Sequence, residues 1–454
     1  MGRFIADRPF IIFLALGLIT FLTNYTFGTH LLGWDTIAPE FNPLLNLQRA
    51  FSSVWQDYRG LGTYDGLAHG ATLSHVLITW LLTLVLPDSL VRYVITFSLW
   101  TLGGYFMYRL AAALKLSRPI SIIAGLWYMT NIGTIQQFIA PLEVFTYHHV
   151  AMPLLAYTGL RFIREQSKKN LVFFTLSSFL TLASGFVPTL FIVQSIILGL
   201  FWVAISIGQK KYHGLLLLCA IYTTVHSAWA LPFFLNVPTK GPVIQQARIN
   251  EFSSDELYAR NMARGSALSV LKLEGYMFDT IEYDARLQQN ITLMQAWRTT
   301  RNSTLGKTLI AVIIVLVFFG LFYSLRHRPT RPIGVALLIG FLLTGVLLAN
   351  NSFLGKPVLS LSRQVLPFFA EAYRIPFTKC ITAFIFAYTL FLAYGLTQVK
   401  VLLKEMGLVS RWFITVVIAI TILLFIPAFS GNFVSPAVRV KLPDGYRNVM
   451  RFFQ

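Results

Sequence analysis

Residues 9–27 read PFIIFLALGLITFLTNYTF, a stretch of nineteen residues with no charged side chain. A membrane helix needs about 20 apolar residues to cross about 30 Å of hydrocarbon, and this stretch meets that length. Arg3 and Arg8 precede it as they would precede a secretory signal, but no small-residue cleavage site follows it. We therefore predict that the stretch is a retained first membrane helix.

Similar apolar stretches recur along the whole chain, at residues 91–108, 119–134, 148–163, 170–186, 188–207, 214–235, 307–325, 332–350, 380–397 and 412–429. Of the 454 residues, 56% are hydrophobic and 12% are charged, whereas soluble domains carry roughly 25% charged residues. The positive mean hydropathy of +0.64 agrees with this high share of hydrophobic residues and low share of charged ones. The sequence excludes a soluble globular protein and predicts an all-α polytopic membrane protein with eleven spans.

The distribution of charge predicts the orientation of the chain. There are 37 Lys and Arg against 18 Asp and Glu, a net charge of +19, and seventeen of the cations lie before the first span or in short loops that hold only three acids. This pattern differs from the single patch of a nucleic-acid-binding protein, and short basic loops face the cytoplasm. All of the short basic loops face the cytoplasm if residues 71–86 lie along the outer interface. We predict a multi-pass protein of the cell membrane with a cytoplasmic N-terminus.

The longer segments then lie on the outer face, and any chemistry is expected there because the inner loops are barely longer than turns. They are the first outer loop at 28–90, the segments at 135–147, 236–306 and 351–378, and the tail from residue 430. In the segment 236–306, Leu287, Ile291 and Met294 have helical spacing and predict interfacial helices. The tail begins an amphipathic helix near Tyr446, as a further outer soluble region would.

Several familiar sites are excluded. Cys219 and Cys380 both fall in apolar stretches, so the sequence offers neither a disulfide framework nor a zinc site. Gly306-Lys307-Thr308 resembles the end of a phosphate loop, but Arg301 occupies the position where that loop needs its first glycine. The sequence contains no HExxH, CxxC or GxSxG motif.

The first outer loop carries four acids among aromatic residues and glycines: Asp35, Glu40, Asp57 and Asp65, with Trp34, Trp55 and Tyr64. Carboxylates held near a membrane surface invite a functional interpretation, and this set suits sugar stacking and hydroxyl recognition. The alternative is that Asp35 and Asp65 form turns or cap helices.

Two further outer clusters carry candidate binding residues. Glu143, His148 and His149 begin a span and suit an acceptor or a divalent metal, although solvation at the interface is the alternative. Arg374 and Lys379 precede the tenth span, where Arg and Lys suit a lipid-linked phosphate. Snorkelling at a helix end is the alternative for this pair. Arg298, Arg301 and Lys307 form a similar basic group.

With these motifs, the chain resembles the GT-C superfamily of membrane glycosyltransferases. The first 165 residues are most similar to the membrane domain of mycobacterial-type alpha-(1→3)-arabinofuranosyltransferases. The shared elements are Trp34-Asp35, Trp55-Gln56-Asp57, the glycines at 60 and 62, Tyr108-Arg109-Leu110-Ala111, Ala124-Gly125-Leu126-Trp127-Tyr128, Pro141 with Glu143, and Pro153. The Arg-x-Pro-x-x-Lys loop at 374–379 resembles YfhO-like membrane proteins more distantly. We expect no counterpart of the large outer carbohydrate-binding domains of those enzymes within these 454 residues, so the resemblance leaves the acceptor open.

The resemblance implies a GT-C-type domain over residues 1–430, with residues 431–454 as an outer tail, and transfer of a sugar from a polyprenyl-phosphate donor to an envelope glycan or lipid. It implies Asp35 as the general base of an inverting reaction. The donor phosphate is assigned to Arg374, Lys379 and Arg59, and the acceptor and sugar to Glu40, Trp55, Asp57, Asp65, Glu143 and His148. No cofactor is required, although Asp35, Glu143 and His148 suit Mg²⁺ or Mn²⁺.

Two other functions share many of these features. A transporter or flippase for lipid or polysaccharide would also be polytopic, basic and equipped with outer loops, and it would not use Asp35 as a base. A scaffold for envelope assembly would show no turnover of lipid-linked sugar. No partner nucleic acid is expected.

Overall fold

The computed structural model describes residues 8–36, 38–53, 55–56, 62–64, 68–246, 248–284, 287–365, 372–406 and 410–452. Within these ranges most residues are helical. In chain order the helices are α1 (Arg8–Asn24), α2 (Pro43–Phe51), α3 (Leu73–Thr83), α4 (Asp88–Ala113), α5 (Arg118–Thr130), α6 (Ile132–Phe138), α7 (Glu143–Glu165), α8 (Lys168–Leu180), α9 (Pro188–Gln209), α10 (Tyr212–Gln246), α11 (Arg248–Ala263), α12 (Ala267–Leu271), α13 (Gln295–Asn302), α14 (Thr304–Arg326), α15 (Arg331–Leu348), α16 (Gly355–Val365), α17 (Pro376–Glu405), α18 (Ser410–Pro427) and α19 (Asp444–Phe452).

Three short antiparallel ribbons join the loops between helices. They pair β1 (His30–Leu31) with β6 (Arg439–Val440), β2 (Trp55–Gln56) with β3 (Thr63–Tyr64), and β4 (Ile281–Asp284) with β5 (Gln289–Thr292). In the first ribbon, His30 lies opposite Val440. This pairing fixes the C-terminal segment against the loop that follows α1.

Every predicted span corresponds to a helix or, for residues 119–134, to the consecutive helices α5 and α6. Among the described residues, six helices are long and apolar enough to cross a membrane: Pro188–Gln209, Tyr212–Leu235, Thr304–Arg326, Arg331–Leu348, Pro376–Glu405 and Phe413–Val438. A shorter apolar helix covers Pro9–Asn24. The chain is an all-α polytopic membrane protein, as predicted, while the count of eleven spans remains a prediction.

The connections between helices gather at two ends of the bundle. At the first end, Arg164 Nη1 donates to the Ala113 carbonyl at 2.5 Å and the Lys211 ammonium donates to the Arg164 carbonyl. At the second end, Trp297 Nε1 donates to the Asn432 carbonyl at 2.8 Å. We call the first the short-loop end, because it holds the turns at 114–117, 166–167, 210–211 and 327–330. The second is the long-loop end, which holds the described residues of the segments 25–87, 264–303 and 428–452.

Helix α17 lies at the centre of the bundle. In its most apolar stretch, 94% of the residues are buried. Helix α14 crosses it where two glycines meet: a Cβ at Gly395 would strike the Leu316 carbonyl oxygen, and a Cβ at Gly320 would strike that of Phe391. Small residues allow two helix backbones to touch in this way, which increases van der Waals contact. The Cα hydrogens of Gly320 and Gly395 therefore set the spacing of the central helix pair.

Residues 71–86 form the short helix α3 and its flanking turns. At 1.5 Å per residue, its eleven residues measure about 16 Å, which is half of about 30 Å of hydrocarbon. One face buries Ser74, His75 and Thr79, while Leu81 on the other is 50% exposed. Helix α3 is too short to cross the membrane by itself.

The segment 236–306 contains helices α11, α12 and α13, as predicted, but the helix expected from the spacing of Leu287, Ile291 and Met294 is absent, and that part of the prediction was wrong. Asp284 pairs with Gln289, Gln288 just before it has a φ of +55°, and Ile291 lies in strand β5 opposite Glu282. The β-branched Ile291 and Thr292 favour the extended backbone. Helix begins only at Gln295. Leu287 lies in the turn, Ile291 in strand β5 and Met294 directly before α13. Their spacing in the sequence therefore did not reflect one helix.

Candidate functional site

A buried ion cluster joins three segments at the long-loop end. Arg92 donates from Nε to Glu40 Oε1 at 2.9 Å and from Nη2 to Glu40 Oε2 at 3.0 Å, and its Nη1 donates to Glu143. The side chains of Arg92, Glu40 and Glu143 are 6%, 2% and 13% exposed. We call these three residues the acid–arginine cluster. Two carboxylates against one guanidinium give it a formal charge of −1.

Local sequence explains how the cluster is positioned. Glu40 lies in a single 3₁₀ turn, Pro39–Phe41, and Asn42 then caps α2 by accepting from the Leu45 amide at 3.2 Å. Glu143 is the first residue of α7, where the positive end of a helix dipole favours an acid. Arg92 lies in the second turn of α4. The cluster therefore fixes the first long segment to α4 and α7.

Unpaired polar groups surround this cluster. The rings of His75 and Tyr147 meet edge to face with centroids 5.5 Å apart. Among the described residues, the buried His75 nitrogens and Tyr147 hydroxyl have no hydrogen-bond partner. Burial and the nearby Arg92 guanidinium lower the pKa of His75 to about 3. A neutral imidazole and a phenol therefore lie unpaired beside a charged cluster, although buried polar groups normally have a hydrogen-bond partner.

Asp35 lies apart from the cluster, exposed on the loop after β1. Two contacts brace this loop: the Leu32 amide donates to the Val438 carbonyl at 2.8 Å, and Trp34 Nε1 donates to Glu282 of β4. Trp34 has a φ of +52°, a conformation that a tryptophan adopts only when its surroundings enforce it. Within the described ranges Asp35 makes no ion pair. The loop therefore presents this carboxylate to solvent.

The loop before α17 presents its cations at a helix N-terminus. Arg374 and Lys379 are half-buried, and Lys379 falls in the first turn of α17, which contains no acid. The positive end of the helix dipole disfavours a cation there and favours an anion. The Asn261 amide donates to the Arg374 carbonyl at 3.5 Å. Arg374, Lys379 and the helix terminus together form a site whose electrostatics suit an anion.

An apolar groove reaches this loop along the surface of the bundle. It has a volume of about 350 Å³ and is lined by residues that include Val193, Ile197, Leu343, Leu347, Val358 and Tyr373. We call it the long-loop groove. Helices α9 and α15 form its walls, α16 contributes Val358, and Tyr373 directly precedes Arg374. Burial raises the pKa of Tyr373 to about 12, so its phenol stays protonated at neutral pH.

A second ion network, which the sequence did not predict, occupies the same end of the bundle. Arg264 donates to both oxygens of Asp279, at 2.6 and 2.7 Å, and Arg301 Nε donates to Glu274 at 3.4 Å. The bond from Arg264 lowers the pKa of Asp279. Arg298 Nη1 also lies 3.9 Å from Asp279. The predicted basic group at Arg298 and Arg301 is thus engaged with acids of the chain.

The remaining predicted site residues are scattered. Trp55 is half-exposed in β2, and its indole covers Gly62, which has a φ of +90°. His148 is fully buried in α7, and its ring nitrogens have no partner among described residues. Asp57, Arg59 and Asp65 lie outside the described residues. Within the described ranges no three His, Cys, Asp or Glu side chains could hold a metal ion, so Asp35, Glu143 and His148 do not assemble one.

No family model matches the sequence, and no curated protein matches it. Two solved structures share its fold, both cryo-EM structures of the arabinofuranosyltransferase AftD from Mycobacteria, one of them a mutant. Their TM-scores are 0.54 and 0.55 at 13% and 12% identity, and each alignment covers 98% of this chain. The chain covers 28% and 29% of those chains, less than a third of their length. This likeness supports the predicted all-α, polytopic membrane fold.

Proposed function

We propose that this protein is an integral membrane glycosyltransferase that moves a sugar from a polyprenyl-phosphate donor to a glycan or lipid acceptor at the outer face. One observation carries the proposal: the apolar long-loop groove meets a basic loop at the N-terminus of α17. The groups of a polyprenyl-phosphate sugar follow a matching order, with an apolar chain first, then a phosphate, then a polar sugar. The groove and loop match that order.

The donor phosphate is assigned to Arg374 and Lys379. Arg offers a planar fork of donors and Lys a compact charge, and both suit phosphate oxygens. The first turn of α17 adds free amide groups and the positive end of its dipole. The polyprenyl chain would lie along Leu343, Leu347 and Val358. Arg59 is expected to add a further cation from the first outer loop.

The acceptor side is assigned to the first outer loop and α7. The indoles of Trp34 and Trp55 are 39% and 50% exposed, so each has an accessible ring face for stacking on a sugar. Glu40 is held on both oxygens by Arg92, so its role is to position Arg92 and, through it, Glu143. Glu143 is the more exposed carboxylate of the cluster and is the better acceptor ligand. His148, Asp57 and Asp65 remain predicted acceptor ligands.

The reaction follows from these assignments. The bond between the anomeric carbon and the phosphate oxygen breaks, and the phosphate leaves with the bonding electrons. The acceptor oxygen forms the new bond to the opposite face of the sugar, and Asp35 takes the proton of that hydroxyl. Arg374 and Lys379 stabilise the charge that develops on the phosphate. A single base and a direct displacement invert the anomeric carbon.

Arabinofuranose is the first sugar to test, because the sequence resembles arabinofuranosyltransferases and the fold is that of AftD. The proposed chemistry needs no cofactor, and transfer in the presence of EDTA tests whether Mg²⁺ or Mn²⁺ contributes.

The experiment measures sugar transfer by the purified protein from polyprenyl-phosphate arabinofuranose, mannose and glucose to mixed glycan acceptors. Wild type is compared with Asp35→Asn, and Asp444→Asn is the control because Asp444 is an exposed acid at the same end. We expect turnover of one donor by wild type and by the control, and at least a hundredfold loss in Asp35→Asn, the typical contribution of a general base being about 10²–10⁴-fold.

Two other outcomes would contradict parts of the proposal. Equal turnover by wild type and Asp35→Asn would remove Asp35 as the base. Donor binding without turnover of any donor would favour the lipid transporter, which would use the same groove and basic loop without a catalytic base.

A further inference from the structure

A second apolar groove opens between α9 and α15 at the short-loop end, on the opposite half of the bundle from the long-loop groove. Its volume is about 460 Å³, and its apolar walls include Leu200, Val203, Ile207, Val335 and Ile339. Arg328 and Arg331 line its mouth. We call it the short-loop groove.

The two grooves exist because α9 and α15 touch at mid-height and separate toward both ends. At the crossing, a Cβ on Gly340 would lie 2.8 Å from Ile197 Cδ1, which is closer than side chains approach each other. Below it, Val203, Ile207, Val335 and Ile339 are each between 41% and 53% exposed. Such an apolar surface is complementary to lipid acyl chains, which can pack against it without burying a polar group.

The mouth of the short-loop groove has uncompensated positive charge. Arg326, Arg328 and Arg331 are all exposed, and the turn between α14 and α15, residues 327–330, contains no acid. Within the described part of the chain none of these three guanidinium groups forms an ion pair. Arginines at the membrane surface attract acidic headgroups, and a guanidinium binds phosphate oxygens through two donors.

From these observations we infer that the short-loop groove binds an acidic phospholipid, with an acyl chain between α9 and α15 and its phosphate between Arg328 and Arg331. The ligand differs from the proposed donor in chemical class. It also differs in position, because the two grooves lie on opposite sides of the Gly340 crossing. The inference is therefore independent of the proposed glycosyltransferase activity. The charge at the mouth favours this occupant over a zwitterionic lipid or a second copy of the chain.

The test is native mass spectrometry of the full chain in neutral detergent, titrated with dioleoyl phosphatidylglycerol or dioleoyl phosphatidylcholine. Wild type should retain phosphatidylglycerol preferentially. The double variant Arg328→Gln/Arg331→Gln should weaken phosphatidylglycerol binding about thirtyfold and leave phosphatidylcholine unchanged, since two cations near an acidic headgroup contribute about that factor. The matched control is Lys168→Gln/Lys169→Gln, which removes two exposed cations from the start of α8 at the same end.

A groove variant separates specific binding from simple attraction to the basic face. Val335→Trp fills the groove without changing charge and should also reduce phosphatidylglycerol binding. Equal loss in the Lys168→Gln/Lys169→Gln control, or full binding by Val335→Trp, would overturn the inference. A dimer in the same spectra that disappears in Val335→Trp would instead identify a second copy as the occupant. Inorganic phosphate that competes with the lipid at equal concentration would show that the groove contributes nothing.

Discussion

Removal of the Arg92 guanidinium should destabilise the fold more than removal of any exposed cation. In Arg92→Met, Glu40 loses both hydrogen-bond donors to its carboxylate, and Glu143 loses the donation from Nη1. Both acids then remain in a site where Glu40 is 2% and Glu143 is 13% exposed. A buried charge that has lost its partner must either stay unpaired or take up a proton.

The size of the effect follows from this burial. Removing one partner of a buried ion pair costs about 3–5 kcal/mol, because the other charge remains desolvated and uncompensated. Replacing the whole cluster by apolar residues of similar size is often neutral, so Glu40→Leu/Arg92→Met/Glu143→Leu should recover most of the loss. Arg161 and Glu165 form an exposed pair at 3.4 Å, so Arg161→Met should cost about 0–1 kcal/mol.

The assay is reversible unfolding of the detergent-solubilised protein, with the free energy of unfolding compared for these variants. We expect a large loss in Arg92→Met, recovery in the triple variant and no resolved change in Arg161→Met. If Arg92→Met and Arg161→Met have the same stability, or if the triple variant is less stable than Arg92→Met, the acid–arginine cluster does not fix the first long segment as described.

Three further predictions test other parts of the structure. Gly395→Val places a side chain against the Leu316 carbonyl, so it should abolish the monodisperse peak in size-exclusion chromatography, while Gly199→Val, where nothing lies within 4 Å, should retain it. Arg264 lowers the pKa of Asp279, so their pair stabilises the fold above the unfolded aspartate pKa of about 3.9 and loses this contribution as the pH falls through the lower folded value. Arg264→Gln should therefore lower the melting temperature at about pH 7 but not at about pH 2, and an equal loss at both would contradict this. Lys379→Gln should raise the KM for donor at least tenfold, and an unchanged KM would remove Lys379 from the phosphate site.

The membrane architecture was accessible from sequence because it depends on the length and apolarity of local stretches. Residues 9–27 and 307–325 predicted helices without any knowledge of their neighbours, since each must satisfy its own backbone in hydrocarbon. The hairpin that contains Ile291 was missed for the opposite reason. Its apolar residues matched a helical spacing, and the turn before Gln289 outweighed that pattern.

The candidate site was only partly accessible from sequence. Glu40 and Glu143 were chosen as acids in outer segments, and the structure brings them together through Arg92. Arg92 itself was missed because it falls at the start of an apolar stretch and was counted as part of a span. A lone charged residue inside such a stretch is expensive and therefore functional or paired, and that signal would have identified it.

Ion pairing also limited what the sequence could reveal about cations. Arg301 and Arg374 look alike as basic residues in long outer segments, yet the chain supplies Glu274 for Arg301. Pairings between residues of different helices and loops depend on tertiary packing, which composition does not encode. Arg374 follows Tyr373, which lines an apolar groove that only the packing of α9, α15 and α16 creates.

The most direct test of the proposed site is photo-crosslinking with a polyprenyl-phosphate sugar that carries a diazirine in its first isoprene units. After irradiation of the purified protein, the labelled residues are mapped by mass spectrometry. The account predicts labels at Leu343, Leu347 and Val358, lost in Arg374→Gln/Lys379→Gln and retained in the control Lys441→Gln. Labels confined to another surface, or unchanged in Arg374→Gln/Lys379→Gln, would contradict the assignment of the long-loop groove and its basic loop to the donor.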